Sequence, residues 1–274
     1  MALALARQRR RDVRRPVDSR PLSERRDAPL RKRHPVWLFD LDNTLHDASH
    51  AAFEPISAAM TRYIAEHLEL ADDAATALRQ RYWKRYGATL LGLVRHHAID
   101  AAHFLDHTHR LPNLEARLRS SAHDRAALRR LPGRKFVLTN APRAYALRVL
   151  DSLGVAAQFD GVLSIEDMAM FGHLRPKPDA RMLRRVAARL KVAPTRCVLV
   201  EDTLEHQKAA RGLGMTTVWM RRYLGGRYRG APSVPFQTRL RVLPAKAEVG
   251  VHACPKPAYV CARINSLQKL MRRA

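Results

Sequence analysis

The chain has 274 residues, 46% of them apolar, with three cysteines and a formal charge of +25. That length allows one core domain plus a smaller module, so few cysteines exclude a disulfide scaffold, and no apolar run reaches the roughly 18 residues of a membrane-spanning helix. Residues 1–34 carry 12 Lys/Arg against 4 acids and residues 221–274 carry 12 against 1, so the excess charge lies in the two ends.

Residues 1–34 read as a basic, disordered tail. They lack the apolar stretch of a secretory signal, and their acids and few serines argue against a transit peptide. They hold no aromatic residue on which a base could stack, so nucleic acid is not an expected partner. Val36-Trp37-Leu38-Phe39 has the pattern of a strand buried on both faces. It runs into Asp40-Leu41-Asp42-Asn43-Thr44. The carboxyl ends of strands are where ligands sit in open α/β sheets. Two acids placed there are costly unless a metal ion or hydrogen bonds compensate them, so this turn is a candidate site.

Residues 47–130 read as an inserted helical module. Phe53, Ile56, Met60, Ile64 and Leu68 form an amphipathic stripe. Asp72 is placed to cap a helix running to Tyr86 and stopped by Gly87. Leu90 to Val94 is a third apolar segment, and Asp100 is placed to cap a fourth helix holding Phe104 and Leu105. His103 and His107 stand at a helical spacing that can bind zinc. No acid or cysteine other than Asp106 completes a set nearby in the sequence, so these histidines read as structural or adventitious.

After residue 130 strands and helices alternate. Phe136-Val137-Leu138 is an apolar strand ending in Thr139, followed by a helix from Arg143 to Leu153. Phe159 to Ile165 is strand-like, Ala180 to Leu190 helical, and Cys197 to Val200 a strand ending in Glu201 and Asp202. Glu205 to Leu213 is helical and Thr216 to Met220 a strand. This alternation predicts a parallel sheet with helices on both faces. Residues 221–258 read as an irregular basic extension. Val260, Ile264, Leu267 and Leu270 predict a short strand or helix packing back on the core. Cys197 fits a buried strand, and Cys254 and Cys261 lack metal-ligand spacing. The cysteine count fits a reducing, cytoplasmic setting.

Asp40-Leu41-Asp42-Asn43-Thr44 after a strand, Thr139 after a second, Arg175-Pro176-Lys177-Pro178-Asp179 before a helix, and Glu201-Asp202 after a third strand occur in that order. Any one has an ordinary structural use: Thr139 a helix cap, Lys177 a solvated lysine, Glu201 and Asp202 helix-initial acids. Together they resemble the four motifs of the haloacid dehalogenase superfamily over residues 35 to 220. The resemblance implies a Rossmann-like core (residues 35–46 and 131–220), a helical cap (47–130) closing over it, and phosphate monoester hydrolysis. It assigns Asp40 as nucleophile and Asp42 as a general acid and base that starts out protonated. Phosphate contacts fall to Thr139, Asn140 and Lys177, and a Mg²⁺ ion to Asp40, Asp42, Asp202 and Glu201, with Asp42 using its backbone carbonyl. Thr44 is expected to fix the loop by bonding backbone. Dehalogenases of this superfamily lack an acid at position 42, which disfavours halide chemistry.

Tyr82-Trp83-Lys84-Arg85-Tyr86-Gly87-Ala88-Thr89 with His96-His97, and Gly214-Met215, are similar to pyrimidine 5′-nucleotidases within that superfamily. This implies a nucleoside monophosphate substrate contacted by Tyr86, Thr89, His96 or His97, although plain cap packing explains the same residues. His46 and His206-Gln207 depart from that pattern at the cap hinge and after the fourth motif. The alternatives are a phosphatase for phosphoglycolate or a sugar phosphate, or a polyanion-binding protein using its basic ends. The oligomeric state is left open.

Overall fold

The computed structural model describes residues 34–224 and 256–272. The predicted tail before His34, the extension from 225 to 255 and Cys254 lie outside the described residues. A six-stranded sheet, parallel throughout, forms the centre. Strand β1 (Val36–Phe39) lies between β2 (Lys135–Leu138) and β6 (Cys197–Glu201). Outside these lie β3 (Gly161–Leu163) on one edge, then β7 (Thr216–Met220) and β8 (Ala262–Ile264) on the other. Phe39 stands opposite both Val137 and Val200, so the three central strands end level with one another.

The apolar run of β1 is continuous because both faces of the sheet are covered. Trp37 and Phe39 pack on one face with Val137, Val198, Val200 and Val218. Val36 and Leu38 pack on the other with Phe136, Leu138 and Leu199. That alternation is the twofold period of a strand. Trp37 is 2% exposed, and its Nε1 donates to the Pro132 carbonyl at 2.9 Å, so the largest side chain of the strand is buried with its polar atom satisfied.

Seven helices lie between β1 and β2: α1 (Ala48–Ala51), α2 (Phe53–Leu68), α3 (Asp72–Tyr86), α4 (Thr89–His97), α5 (Ala101–His109), α6 (Leu114–Arg117) and α7 (Ala122–Arg130). The apolar cluster continues from the sheet through Leu41, Leu45 and Ala51 into Ile56, Leu78, Leu93 and Phe104 of these helices. After β2 come α8 (Arg143–Ser152), α9 (Ala180–Arg189) and α10 (Leu204–Gly212). Met182, Leu183 and Val186 of α9 and Ala210 of α10 cover the Leu38 face.

Several expectations need adjustment. Ala71, not Asp72, is the N-cap of α3, and Asp72 sits in the first turn, where an acid meets the positive end of the helix dipole. The strand predicted from Phe159 to Ile165 shortens to β3, because residues 156–158 and 165–168 close into 3-10 turns. A hairpin of β4 (Ala169–Met170) and β5 (His173–Leu174) was not predicted. The C-terminal element is both alternatives in sequence: β8 joins the sheet, and a 3-10 turn at Leu267–Arg272 packs on α7. Asp124 of α7 accepts from Ser266 Oγ at 2.6 Å and from the Leu267 amide at 2.7 Å, which pins this turn in place.

Candidate active site

The ends of β1, β2 and β6 and the loop before α9 converge on Asp40, Thr139, Lys177, Glu201 and Asp202. All five are buried: Asp40 is 6%, Lys177 3% and Asp202 0% exposed. Lys177 Nζ lies 2.7 Å from Asp40 Oδ1 and 2.7 Å from Glu201 Oε2, and so bridges residues 137 and 24 positions away in the chain. His206 Nδ1 lies 3.0 Å from the same Glu201 oxygen. The loop ends are held by the fold. Asp40 continues the β1–β6 ladder by donating its amide to the Val200 carbonyl at 2.9 Å, and Thr139 does the same toward Leu163 at 3.0 Å. Trp219 Nε1 donates to the Asp202 carbonyl at 2.8 Å. Gln207 Nε2 donates to the carbonyls of Glu201 and Val218, tying α10 to two strand ends.

One ammonium among three buried carboxylates leaves the site short of positive charge. Burial, reinforced by Glu201, pushes the Asp40 carboxyl up to about 7 against the opposing pull of Lys177. Burial works to raise Glu201 as well, but Lys177 and His206 outweigh it and hold that carboxyl below the usual range. Asp202 is driven well above the usual range by burial and by its neighbours Glu201 and Asp40. Burial opposes the charge on Lys177, yet the two carboxylates lift it above its ordinary value. Asp202 Oδ1 accepts from Thr203 Oγ1 at 3.1 Å, whereas its Oδ2 is buried with no hydrogen-bond partner. Asp40, Glu201 and Asp202 offer carboxylate oxygens that all lie within 4.8 Å of one another. An orphaned buried oxygen within an all-oxygen donor set fits a hard divalent cation.

Asp42 stands apart from that group. Its Oδ1 accepts from Tyr145 Oη at 2.8 Å and from His46 Nε2 at 2.9 Å. His46 is fully buried, so the residue that departs from the nucleotidase pattern is a partner of Asp42. Tyr145 carried no sequence signal, since it is one aromatic on the buried face of α8. Burial and the adjoining Asp42 charge keep its phenol well above its ordinary value, so it stays a donor.

Two sequence-based roles change. Asn140 was expected to touch phosphate. Its Oδ1 accepts from the Lys177 amide at 2.9 Å and its Nδ2 donates to the Lys177 carbonyl at 3.0 Å, so it clamps the lysine loop. Thr44 was expected to fix the first loop, but its hydroxyl is buried without a partner. Asn43 does that work. It adopts φ +60°, and its Oδ1 accepts from the amide and the hydroxyl of Ser49 at 3.0 and 3.1 Å. Asn is among the residues that tolerate this left-handed conformation.

A cavity of about 280 Å³ opens from Asp40, Asp42, Thr139 and Lys177 toward the helices. Its far walls are Phe53, Ile56 and Met60 of α2, Trp83 and Lys84 of α3, and Phe104, Leu105 and His109 of α5. Burial holds the His109 imidazole down to about 4, so it is neutral near pH 7. Of the four cap residues singled out from sequence, Thr89 lines the cavity, but its hydroxyl donates to the Arg79 carbonyl. Tyr86, His96 and His97 are not among the lining residues. Tyr86 Oη lies 2.5 Å from His96 Nε2 and Tyr82 Oη 2.7 Å from His97 Nε2, which makes them fastenings between α3 and α4.

The family model of haloacid dehalogenase-like hydrolases matches residues 36–214. Phosphate metabolism protein 8 of Saccharomyces cerevisiae is 26% identical over 200 residues, which are 68% of this chain and 60% of that protein, so the chain spans about 60% of that relative's length. The HAD phosphatase of Thermococcus onnurineus has a similar fold, with a TM-score of 0.52 at 18% identity over 87% of this chain and 97% of that one. The HAD-hydrolase YfnB of Bacillus subtilis, solved bound to magnesium, gives 0.50 at 18% identity, over 88% of this chain and 99% of that one.

Proposed function

The chain belongs to the haloacid dehalogenase-like hydrolases, and from that membership we propose that it is a phosphatase that hydrolyses a nucleoside 5′-monophosphate, with preference for pyrimidines, through an aspartyl-phosphate on Asp40. The observation that carries the reaction class is Lys177 Nζ held at 2.7 Å from both Asp40 and Glu201, with a second carboxylate, Asp42, two residues on and separately hydrogen-bonded.

In the first half-reaction an Asp40 carboxylate oxygen forms a bond to phosphorus while the bond to the ester oxygen breaks. Asp42 gives its proton to the departing oxygen, so the nucleoside leaves neutral. In the second half-reaction a water attacks phosphorus, Asp42 takes a proton from it, and the bond to Asp40 breaks. Phosphate leaves and both carboxyls return to their starting states. Tyr145 and His46 fix the Asp42 oxygen that they share and turn the carboxyl toward the cavity. The Thr139 hydroxyl and the Lys177 ammonium hold the phosphoryl oxygens for in-line attack. Asp40, Asp202 and the Asp42 carbonyl would hold Mg²⁺, with Glu201 supporting them from behind. When bound, that ion supplies the positive charge that the site lacks and screens the phosphoryl oxygens from the attacking carboxylate.

The cavity supports the substrate class. At about 280 Å³ it sits near the lower limit of small-molecule pockets, roughly 300 Å³. Its far wall is largely aromatic and aliphatic, with the partly exposed Trp83 available to a flat ring. The YfnB structure holds magnesium on a similar fold. The basic ends are proposed to serve no catalytic step.

The test is phosphate release by the full chain, with and without Mg²⁺, from uridine, cytidine, adenosine and guanosine monophosphates, phosphoglycolate and a hexose phosphate. Metal-dependent turnover favouring the pyrimidine nucleotides, abolished by Asp40→Asn, is the expected result. Faster turnover of phosphoglycolate or the hexose phosphate would keep the mechanism and overturn the nucleotidase assignment. No turnover by the folded protein would overturn both.

A further inference from the structure

His109 is the last residue of α5 and forms part of the far wall of the cavity. Its two ring nitrogens have different surroundings. Nδ1 lies 3.0 Å from the Leu105 carbonyl, four residues back on the same helix. A carbonyl oxygen can only accept, so Nδ1 carries the hydrogen. The Thr108 hydroxyl is 2.9 Å from the same Nδ1, but it donates to the Phe104 carbonyl at 2.8 Å and leaves the Nδ1 hydrogen to Leu105. The hydrogen bonds of this imidazole among the described residues are all made by Nδ1. Burial keeps the ring neutral near pH 7, so Nε2 is left as a lone-pair acceptor.

The position of that acceptor is fixed from a second side. His109 meets Tyr145 edge to face, with ring centres 5.6 Å apart and an interplanar angle of 69°. Tyr145 Oη in turn donates to Asp42 Oδ1 at 2.8 Å. His109 therefore stands one ring away from the carboxyl that protonates the departing oxygen in the proposed reaction. The other polar side chains that the helices bring to the cavity are Lys84 and Thr89. Lys84 can only donate, and the Thr89 hydroxyl donates to the Arg79 carbonyl. His109 alone of the three presents a nitrogen lone pair.

We infer that His109 Nε2 accepts a hydrogen bond from the ribose 3′-hydroxyl of the departing nucleoside, so that this residue selects among phosphate esters by the alcohol they release. This selection rests on the nucleotidase reading. With the ester oxygen at Asp42, the part of the alcohol beside His109 is its first few atoms. In a nucleoside 5′-monophosphate these are C5′, C4′ and C3′ with its hydroxyl, and the 2′-hydroxyl is one carbon farther on. The base lies beyond them, toward Trp83. A neutral imidazole adds no charge to the phosphoryl site, so its effect falls on the choice of alcohol. An ester without the 3′-hydroxyl leaves Nε2 unpaired in a cavity that the substrate itself has emptied of water, and such an unpaired group is costly.

The experiment measures kcat/KM for uridine 5′-monophosphate and for its 2′-deoxy and 3′-deoxy analogues, with Mg²⁺, in the full chain and in His109→Leu and His109→Gln. In the wild-type chain the 3′-deoxy analogue should be about tenfold poorer than the parent and the 2′-deoxy analogue within about twofold of it. His109→Leu has no acceptor, so its ratio of parent to 3′-deoxy analogue should fall to about one. The side-chain carbonyl of His109→Gln can accept, so part of the preference should return. A purely structural role would lower all three substrates together and keep the wild-type ratios. Wild-type turnover that ignores the 3′-hydroxyl, a larger loss for the 2′-deoxy than for the 3′-deoxy analogue, or the full 3′ preference surviving in His109→Leu would overturn the inference. The nucleotidase reading would survive each of those results, since it needs only that uridine monophosphate is hydrolysed. No turnover of uridine monophosphate would overturn both.

Discussion

On the sheet side of the cavity the charged groups are mostly buried and engaged with one another. Asp40, Lys177, Glu201 and Asp202 are 6% exposed or less; the three acids lie at the ends of β1 and β6, and Asn140 clamps the loop that carries Lys177. On the helical side the wall is Phe53, Ile56, Met60, Trp83 and Phe104, with Lys84, Thr89 and His109 as polar exceptions. The first wall provides charge at fixed positions, which is what bond-making needs. The second provides surface, which discriminates among ligands by contact. Changes on the two walls should therefore fail differently.

The sharpest break is Asp40→Asn. Loss of the nucleophile should lower kcat by at least about 10³-fold with little change in substrate affinity. Residual turnover within tenfold of wild type, read by phosphate release, would rule Asp40 out as nucleophile. Lys177→Met comes next. It leaves three buried carboxylates without their cation, and removing one member of a buried pair costs about 3–5 kcal/mol. Urea denaturation in Mg²⁺-free buffer should register that loss, and added Mg²⁺ should restore part of it. An unchanged midpoint would mean that the charges are better solvated than their burial implies.

On the helical wall the losses should be smaller and fall on binding. Trp83→Ala removes a stacking surface for a base, a contact of about 1–3 kcal/mol. KM for uridine monophosphate should rise about tenfold or more while kcat stays within about threefold. The reverse split would place Trp83 in the chemistry and erase the contrast between the walls. His109 tests the same wall through pH. Its folded value is about 4 against an ordinary 6.5. Between those values the unfolded chain takes up a proton that the folded chain refuses. The stability that His109 contributes is thus complete above pH 6.5 and is lost as pH falls toward 4. His109→Gln should flatten that part of the stability curve by up to about 3 kcal/mol, and identical curves would show the imidazole to be solvated. The smallest effect belongs to the basic ends. Removing residues 1–34 should leave kcat/KM within about twofold at physiological salt, where charges act over about 8 Å. A large fall would give the tail a part in substrate capture.

The two walls also differ in how far the sequence disclosed them. Asp40, Thr139, Lys177, Glu201 and Asp202 could be located because each ends an apolar strand or opens a helix, and strand ends meet in a parallel sheet. The stripe of α2 was legible from its period, but the same residues that read as core also line the cavity. Periodicity shows which face is apolar and not what that face meets. Trp83, Lys84 and His109 come from helices whose mutual rotation no local pattern encodes. Tyr145 gains its meaning from Asp42, a partner 103 positions away. The β4–β5 hairpin escaped notice because its strands are two residues long and its turn is Phe171-Gly172, with both residues at positive φ, not the Asn-Gly or Asp-Gly that announces such turns.

The last strand has a consequence for how copies of the chain meet. β8 is three residues long and covers β7, whose five residues would otherwise present a row of unpaired amides and carbonyls at the sheet margin. An open strand edge is a template for another chain, and a very short terminal strand is one way of blunting it. Asp124 keeps that cover in place by gripping Ser266 and Leu267 just beyond it. A chain cut after Leu224 would retain every residue of the carboxylate site, yet its exposed margin would recruit further copies. The damage would be measured in turbidity before it was measured in turnover.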